Sequence, residues 1–213
     1  MRLFKIIFLL LSSLFFVVAC SPIGGFHRVE TSKAPKSVSV IDTLSEKTVF
    51  KAGISVYDNY FSGLFLFKPI KADSSYRIVF MSEVGLNLLD MVYKNDTMTV
   101  LSCNDFLNKK IILNTMKKDF AQLFMKYTIK KRFKVYANEN DSVQVVKFSY
   151  KWKKFYYFCH NQNDIFRIYR KSKIFGSVNM NVDKNKNLGI DGINFKHRGI
   201  KLEINLVRIN KGE

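Results

Sequence analysis

The segment GIKLEINLVRI, residues 199–209, alternates between apolar and polar side chains. Its apolar positions are Ile200, Leu202, Ile204 and Leu206, and the polar positions between them are Lys201, Glu203 and Asn205. Successive side chains of a β-strand point to opposite faces, so this pattern predicts a half-buried antiparallel strand. The segment GINFKH, residues 192–197, alternates in the same way, and the Arg198–Gly199 junction supplies a tight reversal. The chain is therefore predicted to end in a β-hairpin.

Segments of this kind recur about every ten residues, from FKAGISVY at 50–57 to SVNMNV at 177–182. Turn-forming residues such as Asn95 and Asp96 separate most of them. Roughly 10–11 strands in sequence indicate a meander that closes or nearly closes into a barrel. The predicted fold class is mainly β, with an open (incomplete) antiparallel β-barrel.

Residues 104–127 have a different period. The apolar side chains at helical spacing are Ile112, Met116, Phe120 and Leu123, and the basic ones on the other face are Lys109, Lys117 and Lys118. This pattern predicts an amphipathic α-helix of about four or five turns, with Asn104 or Asn108 as its N-terminal cap. An isolated helix in an antiparallel fold usually covers one face or mouth of the sheet. Its apolar stripe either packs in the core or forms a lid over a cavity.

The N-terminus predicts export and a lipid anchor. Arg2 and Lys5 precede IIFLLLSSLFFVVA, residues 6–19, a stretch too short to span a membrane comfortably. Cys20 follows directly, as in a bacterial lipobox, in which the cysteine is acylated and the preceding signal is removed. The alternative is an ordinary secretory signal with a cysteine there by chance.

The predicted domains are a signal peptide at 1–19, a lipidated tether at 20–45 and the barrel at 46–213. Residues 21 to about 45 contain Gly, Pro, Ser and alternating charge without helical or strand periodicity. The barrel segment is long enough to bury a full core.

Positive charge is concentrated in the C-terminal part. The formal net charge is +18, and residues 126–213 contain 20 Lys or Arg against 7 Asp or Glu. Aromatic residues interleave with lysines in KWKKFYYF, residues 151–158, a composition found in nucleic-acid-binding proteins. Export argues against nucleic acid and favours anionic phospholipid head groups. The alternative is a solvated basic surface without a partner.

Cysteine and histidine spacing predicts no metal site and no cofactor. Cys103 and Cys159 can form a disulfide outside the cytoplasm or remain as free thiols. His27, His160 and His197 are scattered without the spacing that a zinc site requires, and are expected to be exposed or singly hydrogen-bonded.

Motifs for catalysis are missing from the sequence. It contains no nucleophile elbow, zincin, P-loop or dinucleotide-binding pattern, and Asp58 and Asp90 stand alone among apolar neighbours. The sequence therefore does not predict an enzyme.

Aromatic side chains exceed what half-exposed strands usually carry. SGLFLF at 62–67 and YRIVFM at 76–81 are apolar on both faces, whereas one face of an antiparallel sheet is commonly polar. A helix can cover the second face, the strands can lie between two sheets, or an open interior can hold an apolar ligand. The third explanation predicts a cavity for an acyl chain.

A hairpin is also predicted at YRIVFMSEVGLNLLD, residues 76–90, with apolar residues at its tip. Together with the lipobox, the strand run FSGLFLFKPIKADSSYRIVFMSEVGLNLLDMVY at 61–93, the helix and the basic C-terminal half, it resembles the LolB and LolA family of lipoprotein-localisation proteins. The sequence pattern characteristic of the family resembles this segment at Tyr76-Arg77, at the apolar positions 78–80, and at Val84-Gly85 in the tip.

The resemblance implies an incomplete antiparallel barrel with helices over its mouth, holding acyl chains in an apolar interior. It implies a monomeric, non-enzymatic outer-membrane lipoprotein that faces the periplasm, is anchored at Cys20, and receives lipoproteins from a LolA-like carrier. In some bacteria an acidic residue directly after the acylated cysteine retains a lipoprotein in the inner membrane. Ser21 stands at that position here, which points to the outer membrane. A loop with Val84, Gly85 and Leu86 would contact the membrane. The residues expected to line or cover the cavity are Phe65, Phe67, Phe80, Ile112, Met116, Phe120 and Phe148.

Two other functions fit the same residues. One is a protein that binds lipid or another apolar small molecule without transferring it. The other is a structural or interaction lipoprotein whose aromatic side chains fill an ordinary core.

Overall fold

The computed structural model describes residues 21–30, 40, 46–124, 133–150, 152–160, 164–172, 176–185 and 189–209. The predicted signal peptide and the predicted anchor, Cys20, lie outside these residues. No helix within the described ranges combines the length and the apolar character needed to cross a membrane.

The described residues form thirteen strands and the helix α1, Lys110–Phe124. The strands are β1 (His27–Val29), β2 (Thr48–Val56), β3 (Asn59–Ile70), β4 (Ser75–Met81), β5 (Asn87–Lys94), β6 (Thr97–Cys103), β7 (Phe133–Ala137), β8 (Gln144–Tyr150), β9 (Lys153–Cys159), β10 (Ile165–Ser172), β11 (Ser177–Asn185), β12 (Gly189–Arg198) and β13 (Leu202–Arg208).

All strands belong to one antiparallel sheet in the order β1-β7-β8-β9-β10-β11-β12-β13-β2-β3-β4-β5-β6. Two meanders, β2–β6 and β7–β13, are joined where β13 pairs with β2. In the described part of the chain β1 and β6 are the two edges and do not pair, so the barrel is open. The prediction of an open antiparallel barrel with one amphipathic helix is confirmed.

The sheet has more strands than the predicted 10–11. Strand β1 lies in the segment predicted to be tether, where His27 pairs with Ala137 and Val29 with Val135 of β7. Three residues are too few to show an alternating pattern, so the sequence gives no strand signal there.

The predicted C-terminal hairpin is confirmed. Strands β12 and β13 pair with Phe195 opposite Ile204, and Gly199 in the turn has φ of 110°, a conformation that favours glycine. Leu202, Ile204 and Leu206 are buried, as the alternation predicts.

The strands that are apolar on both faces have one buried and one partly exposed face. In β3, Phe65 and Phe67 are buried, whereas Leu64 and Leu66 alternate with them and are partly exposed. The buried side chains of both meanders and of α1 form a single apolar cluster. The helix covers the inner face of these strands, and their second face is partly exposed, so the expectation that a helix covers the second face is wrong for β3.

A second, smaller cluster lies on the outer face of the β7–β13 meander. Tyr156 and Phe158 of β9 pack there against Ile23 and Phe26, which precede β1. The rings of Phe26 and Phe158 are 6.1 Å apart and nearly perpendicular. The residues that follow the predicted anchor therefore lie on the outside of the sheet.

The helix buries its predicted stripe. Ile112, Met116, Phe120 and Leu123 are all buried. The helix begins at Lys110, so neither Asn104 nor Asn108 is its cap, and that prediction is wrong. The amide of Asn108 instead bonds to the carbonyl of Asn104 in the turn before the helix.

Candidate ligand site beneath the helix

Aromatic rings form the contact between α1 and the first meander. Phe120 of the helix stacks on Phe65 of β3 with ring centroids 4.8 Å apart. Phe65 in turn stacks on Phe80 of β4 at 5.1 Å. Phe120 also lies 5.5 Å from Phe195 of β12, so one helical side chain contacts both meanders.

The C-terminal end of α1 extends this layer toward β4 and β5. The Phe124 ring lies 4.7 Å from Tyr93 and 4.8 Å from Tyr76, between centroids. Burial raises the pKa of Tyr93 well above its usual range, assisted by the hydrogen bond from its hydroxyl to Asp96. Tyr93 therefore remains neutral, in keeping with its place beside the helix.

The seven residues predicted to line or cover a cavity lie in one region. Six of them are buried in the apolar cluster: Phe65, Phe67, Phe80, Ile112, Met116 and Phe120. Phe148 is partly buried and stacks on Phe155 at 5.0 Å and on Tyr157 at 5.5 Å. With α1 in this position the rings contact one another, so a ligand that occupied the layer between them would have to displace the helix.

A polar cluster joins α1 to the second meander. Asp119 of the helix is fully buried, and one of its carboxylate oxygens accepts a hydrogen bond from Nη2 of Arg170 at 2.5 Å. Nη1 of Arg170 donates to Oε1 of Gln122 at 2.7 Å and to the carbonyl of Lys118 at 3.2 Å. A single guanidinium on β10 thus holds three groups of the helix.

His197 of β12 completes the cluster. Its Nε2 lies 2.8 Å from the second carboxylate oxygen of Asp119, and its Nδ1 lies 2.8 Å from the carbonyl of Leu202. Both ring nitrogens therefore face oxygen acceptors. The prediction that His197 is exposed or singly bonded is wrong, since the side chain is buried and contacts two acceptors.

Tyr157 of β9 lies beside the same cluster. Burial raises the pKa of its hydroxyl well above the usual range, opposed in part by the nearby side chain of Gln122 and by the charge of Arg170. The hydroxyl consequently stays protonated and can donate a hydrogen bond.

Sequence analysis missed Asp119, Gln122 and Arg170 as functional candidates. Asp119 and Gln122 follow the basic residues on the helix and look like part of its solvated face. The available signal was position: Asp119 is three residues after Met116, on the edge of the apolar stripe. Its partners on distant strands could not be identified without the register of the sheet.

The hairpin tip between β4 and β5 projects apolar side chains into solvent. Val84 is 83% exposed and Leu86 is 64% exposed. The amide of Gly85 donates to the carbonyl of Ser82, and the amide of Ser82 donates to the carbonyl of Leu86, both at 2.9 Å. Gly85 has φ of 84°, which favours glycine. The tip is thus held by its own backbone while its side chains contact no core, and their contact with a membrane stays a prediction.

Other exposed aromatic residues share that end of the sheet. All neighbouring strands are antiparallel, so the β2–β3, β4–β5 and β8–β9 turns lie at the same end. Tyr57 and Tyr60 are exposed at the first of these turns, and Trp152, 85% exposed, is at the last. Turns at the opposite end carry acidic residues, namely Asp73, Asp96, Glu139, Asp141 and Asp164. The two ends therefore differ in apolar character.

Asp90, Cys103 and Cys159 are the remaining candidates for catalysis or a disulfide, and the structure shows how each is placed. Asp90 is buried and accepts hydrogen bonds from Nε and Nη2 of Arg77, which ties its carboxylate to an ion pair. Cys103 and Cys159 are free thiols. Among the described residues no three His, Cys, Asp or Glu side chains are placed to hold a metal ion.

Comparison with known proteins gives a structural likeness only. No family model matches the sequence, and no curated protein does. Among solved structures, a LolA superfamily protein from Nitrosomonas europaea is similar, with a TM-score of 0.45 and 8% identity over 80% of this chain and 90% of that chain. A likeness of this degree assigns no function.

Proposed function

We propose that this chain is a lipid-anchored, non-enzymatic protein that binds acyl chains against the inner face of its sheet, beneath α1. The observation that supports it is the apolar, aromatic inner face of an open sheet, covered by a helix whose outer face is exposed. Ile111, Asn114 and Lys118 lie on that exposed face. An acyl chain gains about 0.8 kcal/mol for each CH₂ that leaves water.

Binding requires α1 to move while the sheet stays intact. The strands make their hydrogen bonds with one another, and the helix contacts them through side chains such as Phe120, Phe124 and Asp119. Moving the helix therefore breaks side-chain contacts but no bond of the ladder. A chain of about fourteen buried CH₂ groups gains on the order of 10 kcal/mol, enough to offset the loss of several such contacts.

The proposed cargo is the acyl chains of lipoproteins, received from a LolA-like periplasmic carrier and inserted into the inner leaflet of the outer membrane. The resemblance carried by Tyr76, Arg77 and the Val84–Gly85 tip supports this cargo. The tip contributes because burying Val84 or Leu86 in lipid brings about 1.5–3 kcal/mol each.

The position of the anchor constrains how the tip reaches lipid. Residues 21–26 precede β1 and pack near Phe158, at the end of the sheet opposite to the tip. A lipid on Cys20 would therefore tether that opposite end. Anchor and tip contact one bilayer when the strands lie along the membrane surface.

Direct ring contact favours one rival function. Phe65 stacks on both Phe80 and Phe120, as in a structural lipoprotein with a filled core. Purification of the lipidated protein from membranes, followed by mass spectrometry of bound lipid, separates the two. Copurified lipid supports the proposal, and failure to bind any acyl compound rejects it.

A transfer assay tests the cargo. The protein is loaded with a triacylated lipopeptide and mixed with phospholipid vesicles, and transfer is followed by flotation. Val84→Glu with Leu86→Glu is expected to slow transfer without unfolding the protein, and Val207→Glu, at an exposed apolar position of β13, is the control. Binding of fatty acid or phospholipid without transfer of lipopeptide would indicate a lipid-binding protein with no delivery role.

A further inference from the structure

We infer that the inner face of the sheet carries a site for the carboxylate head of a single-chain amphiphile, and that Asp119 of α1 occupies this site when the helix is in place. The inference rests on the proposed function, since a ligand reaches the site only when α1 moves. It adds a polar specificity to an acyl-chain site that is otherwise apolar.

The donors of the site stand on the sheet. Arg170 of β10 and His197 of β12 are both paired with Val178 of β11, so they flank it on the same face, two strands apart. Tyr157 of β9 lies beside them, near Gln122 of the helix and Arg170. The strands keep these donors in place whether or not α1 is docked.

The acceptor, in contrast, stands on the helix. One oxygen of Asp119 binds Nη2 of Arg170 at 2.5 Å, and the other binds Nε2 of His197 at 2.8 Å. A carboxylate whose two oxygens bridge a guanidinium and an imidazole is the geometry that the head of a fatty acid would reproduce. Asp119 thus stands in for an anionic ligand.

The surroundings of Arg170 favour this substitution. Its neighbours on the adjacent strands are Phe155 and Val178, both buried. When an acyl chain takes the place of α1, Asp119 is displaced with the helix and the chain covers the guanidinium, which is then buried without its counterion. Leaving a buried charge unpaired is strongly unfavourable. A ligand with a carboxylate restores the pair, whereas a neutral ligand of the same length does not.

The proposed site therefore discriminates among acyl compounds. The acyl chains of a lipoprotein are held in ester and amide links and carry no free carboxylate, so such cargo would use only the apolar part of the pocket. A fatty acid, or a single-chain phosphate ester, offers both the chain and the anion.

The test compares three probes of equal chain length on the full lipidated protein: palmitate, hexadecanol and hexadecyl phosphate, each below its micellar concentration. Affinities are measured by displacement of a fluorescent acyl probe. We expect palmitate to bind at least tenfold more tightly than hexadecanol. Comparing palmitate with hexadecyl phosphate distinguishes a carboxylate head from a phosphate head. The compound that binds more tightly identifies which of the two heads the site fits.

Charge-neutral variants separate the site from the general positive charge of the protein. Asp119→Leu with Arg170→Met removes one buried pair and should reduce the preference for palmitate over hexadecanol to within about twofold. The matched control is Arg77→Met with Asp90→Leu, which removes an ion pair on the outer face and should leave the preference unchanged.

A third variant guards against misfolding of the double variant. Asp119→Asn removes the internal competitor but retains Arg170. If Asp119 only fixes the helix, both probes gain affinity equally. Competition for the anion site instead requires palmitate to gain at least threefold more than hexadecanol.

Each outcome decides a different point. If neither palmitate nor hexadecanol binds, the proposed function fails. If both bind equally tightly, acyl-chain binding stands and the anion site is rejected. A preference for palmitate that survives in the variant with both Asp119→Leu and Arg170→Met also rejects the site, because the anion is then recognised elsewhere.

Discussion

Replacing Asp119 by leucine should destabilise the protein more than replacing its partner Arg170 by methionine. In Asp119→Leu both Arg170 and His197 lose their carboxylate partner, and the guanidinium keeps only the neutral acceptors Gln122 and the Lys118 carbonyl. In Arg170→Met the carboxylate keeps its contact with His197. The two single variants therefore differ in the charge that they leave unbalanced: a buried guanidinium without a carboxylate in the first, and a carboxylate that still contacts an imidazole in the second.

The expected magnitudes come from the burial of the cluster. Asp119 is fully buried and the Arg170 side chain is only 10% exposed, so leaving the guanidinium unpaired costs about 3–5 kcal/mol of unfolding free energy. Arg170→Met costs about 2 kcal/mol, because one charged hydrogen bond of the carboxylate is lost and one remains. The double variant should lie within about 1 kcal/mol of the original protein, since apolar groups of similar volume replace the pair.

Urea denaturation followed by far-ultraviolet circular dichroism measures all four proteins. The fluorescence of Trp152 is not a suitable probe, because that side chain is exposed. The coupling free energy between the two positions should reach several kcal/mol. Additive effects, with the double variant as unstable as the sum of the single ones, would refute the view that Asp119 and Arg170 act as one buried pair.

Three further outcomes test other parts of the structure. Leu86→Ser should leave the unfolding free energy unchanged within about 0.5 kcal/mol yet weaken binding to phospholipid vesicles about tenfold, whereas Val207→Ser should alter neither; equal losses would argue against a special role for the tip. Gly63→Ala should lower the free energy of unfolding by about 1–3 kcal/mol, because a Cβ at this position would overlap the carbonyl oxygen of Met81. Thermal unfolding measures the effect, and an unchanged melting temperature would show that β3 and β4 can separate freely. Burial raises the pKa of the Cys159 thiol to about 12, so iodoacetamide at pH 8 should leave it unmodified in peptide maps of the native protein but label it in urea, and rapid native labelling would place it on the surface.

The sheet was predictable because the signal for it is local. In β13 the alternation of Leu202, Ile204 and Leu206 with polar residues specifies one buried face without any knowledge of neighbouring strands. The apolar stripe of α1 is local in the same sense, from Ile112 to Leu123. Both predictions required only the period of the pattern.

Other features depended on partners distant in sequence. Strand β1 forms because β7 offers an edge, and its three residues hold no pattern of their own. Asp119 meets Arg170 and His197 only after seven strands place β10 and β12 beneath the helix. The prediction of the fold could therefore succeed while the polar half of the candidate site was missed.

The same distinction applies to the hairpin tip. Val84 and Leu86 stood out in the sequence because apolar residues are unusual at a turn, and the structure places both in solvent. Whether they meet lipid depends on the orientation of the whole domain, which no local pattern contains.

Movement of α1 on ligand binding is the requirement shared by every proposal made for this protein. It can be measured by electron–electron distance spectroscopy between spin labels at Asn114→Cys on the exposed face of the helix and Lys68→Cys on β3, with Cys103 replaced by serine. Without ligand a single narrow distance distribution is expected, and saturating palmitate or lipopeptide should shift it to longer distances while the circular dichroism of the sheet is unchanged. Stoichiometric binding with an unaltered distance distribution would contradict a site beneath the helix.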